Sequence, residues 1–133
     1  MTNQLSILLI DDNEIDLFLH EKILKIKEIA HQTIAFKNVD EALSYLQEND
    51  TVRFPDVILL DIQMPTLDGF DFIYNFQKFP KSQREKTFII MVSSSLDFGD
   101  IVRAKANRHV LELLKKPLNI NDLINVLKEN DLL

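Results

Sequence analysis

The sequence contains no cysteine, which excludes both a disulfide framework and a thiolate metal site. Its apolar runs are all strand-sized, far short of the roughly 20 residues that span a bilayer. Basic residues are in deficit: 15 Lys and Arg against 21 Asp and Glu leave a net charge of −6. That balance argues against nucleic acid as a direct partner, because phosphate backbones are met by clustered cations. The N-terminal Met1-Thr2-Asn3-Gln4 lacks the basic stretch of a signal peptide, so a cytoplasmic protein away from the membrane is expected. No linker, low-complexity tract or solenoid-type repeat interrupts the chain. Residues 1–133 suit one domain with its own core and no attached output domain.

Four apolar runs end abruptly in polar groups. Leu5-Ser6-Ile7-Leu8-Leu9-Ile10 runs into Asp11-Asp12, and Val57-Ile58-Leu59-Leu60 into Asp61. Phe88-Ile89-Ile90-Met91-Val92 runs into Ser93, and His109 to Leu114 into Lys115-Lys116-Pro117. Gln32 to Phe36 reads as a fifth, weaker strand. Runs that are continuously apolar, rather than alternating, indicate strands buried on both faces.

Between the strands lie amphipathic stretches with start signals. Ile15, Leu19, Ile23 and Ile26 recur at helical spacing behind Asn13, with Glu14 and Asp16 favourable in the first turn. Asn38 and Glu41 resemble a capping box ahead of Ala42, Leu43 and Leu46. A third helix follows the Met64-Pro65-Thr66-Leu67-Asp68-Gly69 loop and runs to about Phe79, ended by Pro80. Asp97 caps a fourth containing Ile101 and Val102, and Asn119 a fifth with Ile120, Leu123, Ile124 and Leu127 on one face. Strands alternating with five helices predict an α/β three-layer sandwich around a five-stranded parallel sheet.

In such a sheet ligands bind outside the carboxyl ends of the strands, so the four sets of polar groups meet at one edge. Mg²⁺ prefers oxygen ligands and is usually held by one or two carboxylates. Asp11, Asp12 and Asp61 supply that donor set. Two carboxylates about 4 Å apart repel by about 4 kcal/mol at an effective dielectric near 20, a cost that a cation offsets. Lys116 adds a point charge for a carboxylate or a phosphoryl oxygen, and Ser93 a hydroxyl donor. An aspartate can itself attack phosphorus to give an acyl phosphate.

At these residues the chain resembles the receiver domains of bacterial two-component response regulators. The likeness is carried by Ile7 to Asp12, Asp61 to Gly69, Met91 to Ser95 and Lys115 to Leu118, in order along essentially the whole chain. It implies the flavodoxin-like strand order 2-1-3-4-5. It implies that Asp61 accepts a phosphoryl group from a sensor histidine kinase or histidine phosphotransfer protein. Asp12, Asp61 and the backbone carbonyl of Gln63 would coordinate Mg²⁺, with Asp11 acting through water and charge. Ser93 and Lys116 would contact phosphoryl oxygens, across a cis Lys116–Pro117 bond. Output would pass to a downstream protein through a surface within residues 97–130, with a homodimer as one form.

The chain also departs from that pattern. Leu113 stands where such receivers often carry an aromatic residue, and Asn107-Arg108 where many have a glycine turn. Asparagine tolerates the left-handed conformation that such a turn uses. A reading from another class is a Mg²⁺-dependent phosphohydrolase working through Asp61. Such enzymes usually place a second acid two residues after the nucleophile, where this chain has Gln63.

Other features have plainer explanations. Phe70, Phe72, Tyr74, Phe76 and Phe79 form two stripes that one helix cannot turn to the same sheet. Loop curvature or a neighbouring helix is expected to cover the second stripe, the alternative being an exposed patch for self-association or a partner. His20, His31 and His109 lack metal-ligand spacing and read as structural or surface residues, against a minor pH-sensing role. Gln63 and Ser95 flank the site, where they could set how quickly water removes a phosphoryl group.

Overall fold

Side chains alternate across a strand, so a strand with every residue apolar must be covered on both faces. The computed structural model has that arrangement and describes residues 5–48 and 53–133. The N-terminal Met1-Thr2-Asn3-Gln4 lies outside the described residues. The elements are β1 (Leu5–Ile10), α1 (Glu14–Ile26), β2 (Ala30–Phe36), α2 (Val39–Glu48), β3 (Val57–Asp61) and α3 (Gly69–Phe76). They continue with α4 (Lys81–Arg84), β4 (Phe88–Ser93), α5 (Phe98–Lys105), β5 (Val110–Lys115) and α6 (Ile120–Glu129). Every strand pairing is parallel, in the order β2-β1-β3-β4-β5.

Period-two alternation divides the core. Leu8, Ile10, Ile58, Leu60, Ile89 and Met91 face α2, α3 and α5, packing with Ala42, Leu46, Phe72, Phe76 and Ala104. Ile7, Leu9, Val57, Leu59, Ile90 and Val92 face α1 and α6, packing with Leu17, Leu24, Leu123 and Leu127. Truncating a side chain as enclosed as Phe76 to alanine costs about 3–5 kcal/mol. No helix among the described residues is long and apolar enough to cross a membrane.

The helices differ from the sequence reading in three ways. Six stand among the described residues rather than five, because the chain after α3 does not run straight to β4. The amides of Lys78 and Phe79 turn back to the carbonyls of Asn75 and Phe76, ending α3 at Phe76. Pro80, which has no N–H to continue a helix, instead opens the single turn α4 by accepting from Gln83 and Arg84.

The second difference is the face that α1 buries. Leu17, His20 and Leu24 are buried, while Ile15 (70% exposed), Leu19 and Ile26 point outward. Both stripes obey helical spacing, and a histidine in the middle of the buried one disguised it. The third concerns capping. Asn13, Asn38, Asp97 and Asn119 all cap as expected, but a fully reciprocal capping box forms at Asp68 and Asp71.

The aromatic stripes are accommodated by neighbours. Phe54, just ahead of β3, places its ring 6.0 Å from Phe76 and 5.4 Å from Phe79, and His109 meets Phe76 edge-on. The Arg103 guanidinium of α5 lies 3.9 Å from the centre of Phe70. Tyr74 remains exposed. The turn before β5 does not use a left-handed asparagine, since positive φ occurs among the described non-glycine residues only at Glu28, Thr66 and Asp131. The Asn107 side chain accepts from the His109 amide at 2.9 Å and holds the turn that way.

Candidate functional site

Parallel register sets the depth of every polar group. Ile10 pairs with Leu60, which brings Asp11 level with Asp61. Ser93 closes β4 opposite Lys115, and the Lys116 amide donates to the Ser93 carbonyl at 2.8 Å. The polar ends of four separate strands therefore share one edge of the sheet. The Lys116–Pro117 bond is cis.

Asp11, Asp12 and Asp61 form one cluster, each offering a carboxylate oxygen within 4.8 Å of the others. Asp11 and Asp61 are buried and Asp12 is exposed. Asp11 is also fixed in place, accepting from the Asn13 amide at 2.9 Å through one oxygen and from Lys116 Nζ at 2.7 Å through the other. Three hard oxygen donors converging on one point match the ligand preference of Mg²⁺.

The charge balance points the same way. Burial, joined by the charges of Asp11 and Asp12 and only partly opposed by Lys116, pushes the Asp61 carboxyl up to about 7. A second positive charge would relieve that strain and return Asp61 to its ionised form. Lys116 Nζ lies 3.5 Å from Asp61 Oδ1. Burial works against its charged form, yet the hydrogen bonds to Asp11 and Asp16 outweigh it and hold the ammonium above its ordinary range.

Ser93 is fully buried at the same edge. Its Oγ lies 2.7 Å from Gln63 Oε1 and 2.7 Å from the Ser95 carbonyl, and accepts from the Ser95 amide at 3.2 Å. The hydroxyl thus has protein acceptors within reach, one of them a side chain able to swing away. Gln63 belongs to the site through this side chain as well as through its place after Asp61.

The loop that follows β3 is held close against Asp61. The Gly69 amide donates to the Ile62 carbonyl at 2.9 Å, and a Cβ on Gly69 would sit 2.6 Å from the Asp61 carbonyl oxygen. Only glycine permits this approach.

Two site residues escaped the sequence reading. Asp16 bonds Lys116 Nζ at 2.9 Å, but an acid in a first helical turn already has an explanation in the helix dipole. His20 is buried on α1, its imidazole lowered by burial and by Lys116 against the opposing charges of Asp11 and Asp16. Nothing in its spacing marks it, because it sits where an apolar residue would serve equally well.

Comparison with known proteins agrees with this geometry. Response regulator Rcp1 of Synechocystis is 29% identical over 125 residues, covering 92% of this chain and 83% of that protein. The sensor histidine kinase CheAY of Helicobacter pylori is 31% identical over 93% of this chain, which spans only 15% of that protein's length. Among solved structures, a two-component response regulator from Cytophaga hutchinsonii superposes with a TM-score of 0.87 at 30% identity, covering 97% of both chains. A Mn²⁺-bound form of Rcp1 superposes with a TM-score of 0.72 at 25% identity, covering 96% of this chain and 91% of that one. The family model for the response regulator receiver domain matches residues 7–128. With that match laid over a sheet edge carrying the acidic cluster, the hydroxyl and the lysine, the chain belongs to the response regulator receiver domains and is a phosphoacceptor module of two-component signalling.

Proposed function

We propose that Asp61 is the phosphoacceptor of this chain and that a phosphohistidine on a sensor kinase or phosphotransfer protein is its donor. The observation that carries this reading is the placement of the Asp61 carboxylate within 4.8 Å of Asp11 and Asp12 and 3.5 Å from Lys116 Nζ. An Asp61 oxygen attacks phosphorus, the P–N bond breaks, and its electron pair stays on the departing imidazole. Asp11, Asp12, Asp61 and the Gln63 backbone carbonyl would hold Mg²⁺, which supplies neutralising charge to phosphoryl oxygens when bound. Lys116 donates to one phosphoryl oxygen. Ser93, once released by Gln63, donates to another. The protein positions and neutralises; it is not read as an enzyme acting on a separate substrate, and Gln63 stands where a phosphohydrolase would need its second acid.

Surface features support the partners. The outward face of α1 exposes Ile15, Phe18, Leu19 and Ile26, of which Leu19 and Ile26 line a groove together with Asp16, His20 and Lys116. An apolar face continuous with the site suits a donor protein that must bring its histidine to Asp61. Downstream contact is assigned to α5, β5 and α6, where Phe98 is 80% exposed. Leu113 takes no part in an aromatic switch there, so coupling falls to the loops and α5 themselves.

The test is incubation with acetyl phosphate and Mg²⁺ followed by intact-mass measurement. One phosphoryl group should be gained, and none by Asp61→Asn or in the presence of a chelator. Equal labelling of Asp61→Asn would move the acceptor elsewhere.

A further inference from the structure

We propose that Asp16 is a positioning residue for phosphoryl transfer, an anchor on α1 that aims the Lys116 ammonium at Asp61. This rests on Asp61 being the acceptor. An ammonium is a point charge on a flexible stem, with three N–H donors and no built-in direction. Two of those donors are committed: one to Asp11 Oδ2 at 2.7 Å and one to Asp16 Oδ2 at 2.9 Å. Such charge-assisted distances fix the head group. The third donor faces Asp61 Oδ1, whose 3.5 Å separation leaves it free to meet an incoming oxygen.

The two anchors are not equivalent. Asp11 belongs to the three-carboxylate cluster, so a cation there competes with Lys116 for its oxygens. Asp16 lies outside that cluster and faces no such competition. Its backbone is set by Asn13, whose Oδ1 accepts from the Ile15 and Asp16 amides at 3.0 and 3.1 Å. Helix-dipole complementarity explains an acid in this turn. It does not explain why the carboxylate closes on a lysine 100 positions away. Asp16 is the anchor that persists when Asp11 turns to the metal.

The test compares the full-length wild type, Asp16→Asn and Asp16→Glu. Beryllofluoride binding at saturating Mg²⁺ is followed by ¹⁹F NMR, and Mg²⁺ binding alone by calorimetry. Asp16→Asn should weaken beryllofluoride binding about tenfold and leave Mg²⁺ affinity within about threefold, as expected for one lost charged hydrogen bond outside the metal cluster. Asp16→Glu should recover most of the loss. In the wild type the doubly held ammonium should also give a ¹H–¹⁵N signal of its own, absent in Asp16→Asn. Unchanged beryllofluoride affinity in Asp16→Asn, or a parallel loss of Mg²⁺ and beryllofluoride, would overturn the assignment to positioning. A wild type that binds no beryllofluoride would instead remove the Asp61 reading on which it stands.

Discussion

Lys116 Nζ lies 2.7 Å from Asp11 Oδ2, although 105 positions separate the two residues along the chain. The contact is nearly enclosed, with the side chains only 12% and 4% exposed. Removing the cation from such a pair leaves buried charge with nothing to balance it. Lys116→Met should therefore destabilise the metal-free protein by about 3 kcal/mol, and added Mg²⁺ should restore part of that. Urea unfolding with and without Mg²⁺ measures both effects.

Asp61 makes the metal-free protein sensitive to pH in a direction opposite to that of most carboxylates. Its folded-state pKa of about 7 lies above the ordinary 3.8, so the folded chain holds this proton more tightly than the unfolded chain does. Its contribution is full below about pH 4 and is lost as pH rises toward 7. Asp61→Asn should then be more stable than wild type by about 3 kcal/mol at pH 7.5 without metal, with the gap closing near pH 4. Mg²⁺ should narrow or reverse it at neutral pH. Chemical denaturation across that range would contradict the assignment if the two proteins ran parallel.

Gly69→Ala places a methyl group 2.6 Å from the Asp61 carbonyl oxygen and 3.1 Å from Ile62 Cα. Both are backbone atoms, so the loop must move rather than a side chain turn aside. A loss of about 2 kcal/mol is expected, together with slower phosphorylation by acetyl phosphate. Thermal unfolding and labelling rates test the two parts separately.

Gln63→Ala removes an acceptor 2.7 Å from the Ser93 hydroxyl. A phosphoryl oxygen seeking that hydroxyl no longer competes with the glutamine. Beryllofluoride should bind about fivefold more tightly, the worth of one neutral hydrogen bond. A ¹⁹F titration showing weaker binding would mean that Gln63 assists the bound group.

The sequence disclosed the site more fully than its setting. Asp11, Asp61, Ser93 and Lys116 each end an apolar run, and a parallel sheet leaves such residues only one edge at which to meet. The role of Asp16 was not legible, and for Gln63 only its place beside the site was, because their partners Lys116 and Ser93 arrive from distant strands. Helix faces were harder than helix existence. On α1 two stripes had equal claim to the sheet, and burial chose Leu17 and Leu24 over Ile15 and Ile26. The single turn α4 carries no periodic pattern that could have revealed it.

The doublet Lys115-Lys116 looks like a spare and its original, but the strand geometry forbids exchange. Neighbouring positions point to opposite sides, and Lys115, paired with Ser93, is exposed while Lys116 is turned inward. Sliding β5 by one residue to present the other amine would also move Leu111, Leu113 and Leu114 each to the opposite face of the sheet, away from the core cluster it packs with. A mutation at the second lysine thus has no understudy one step away.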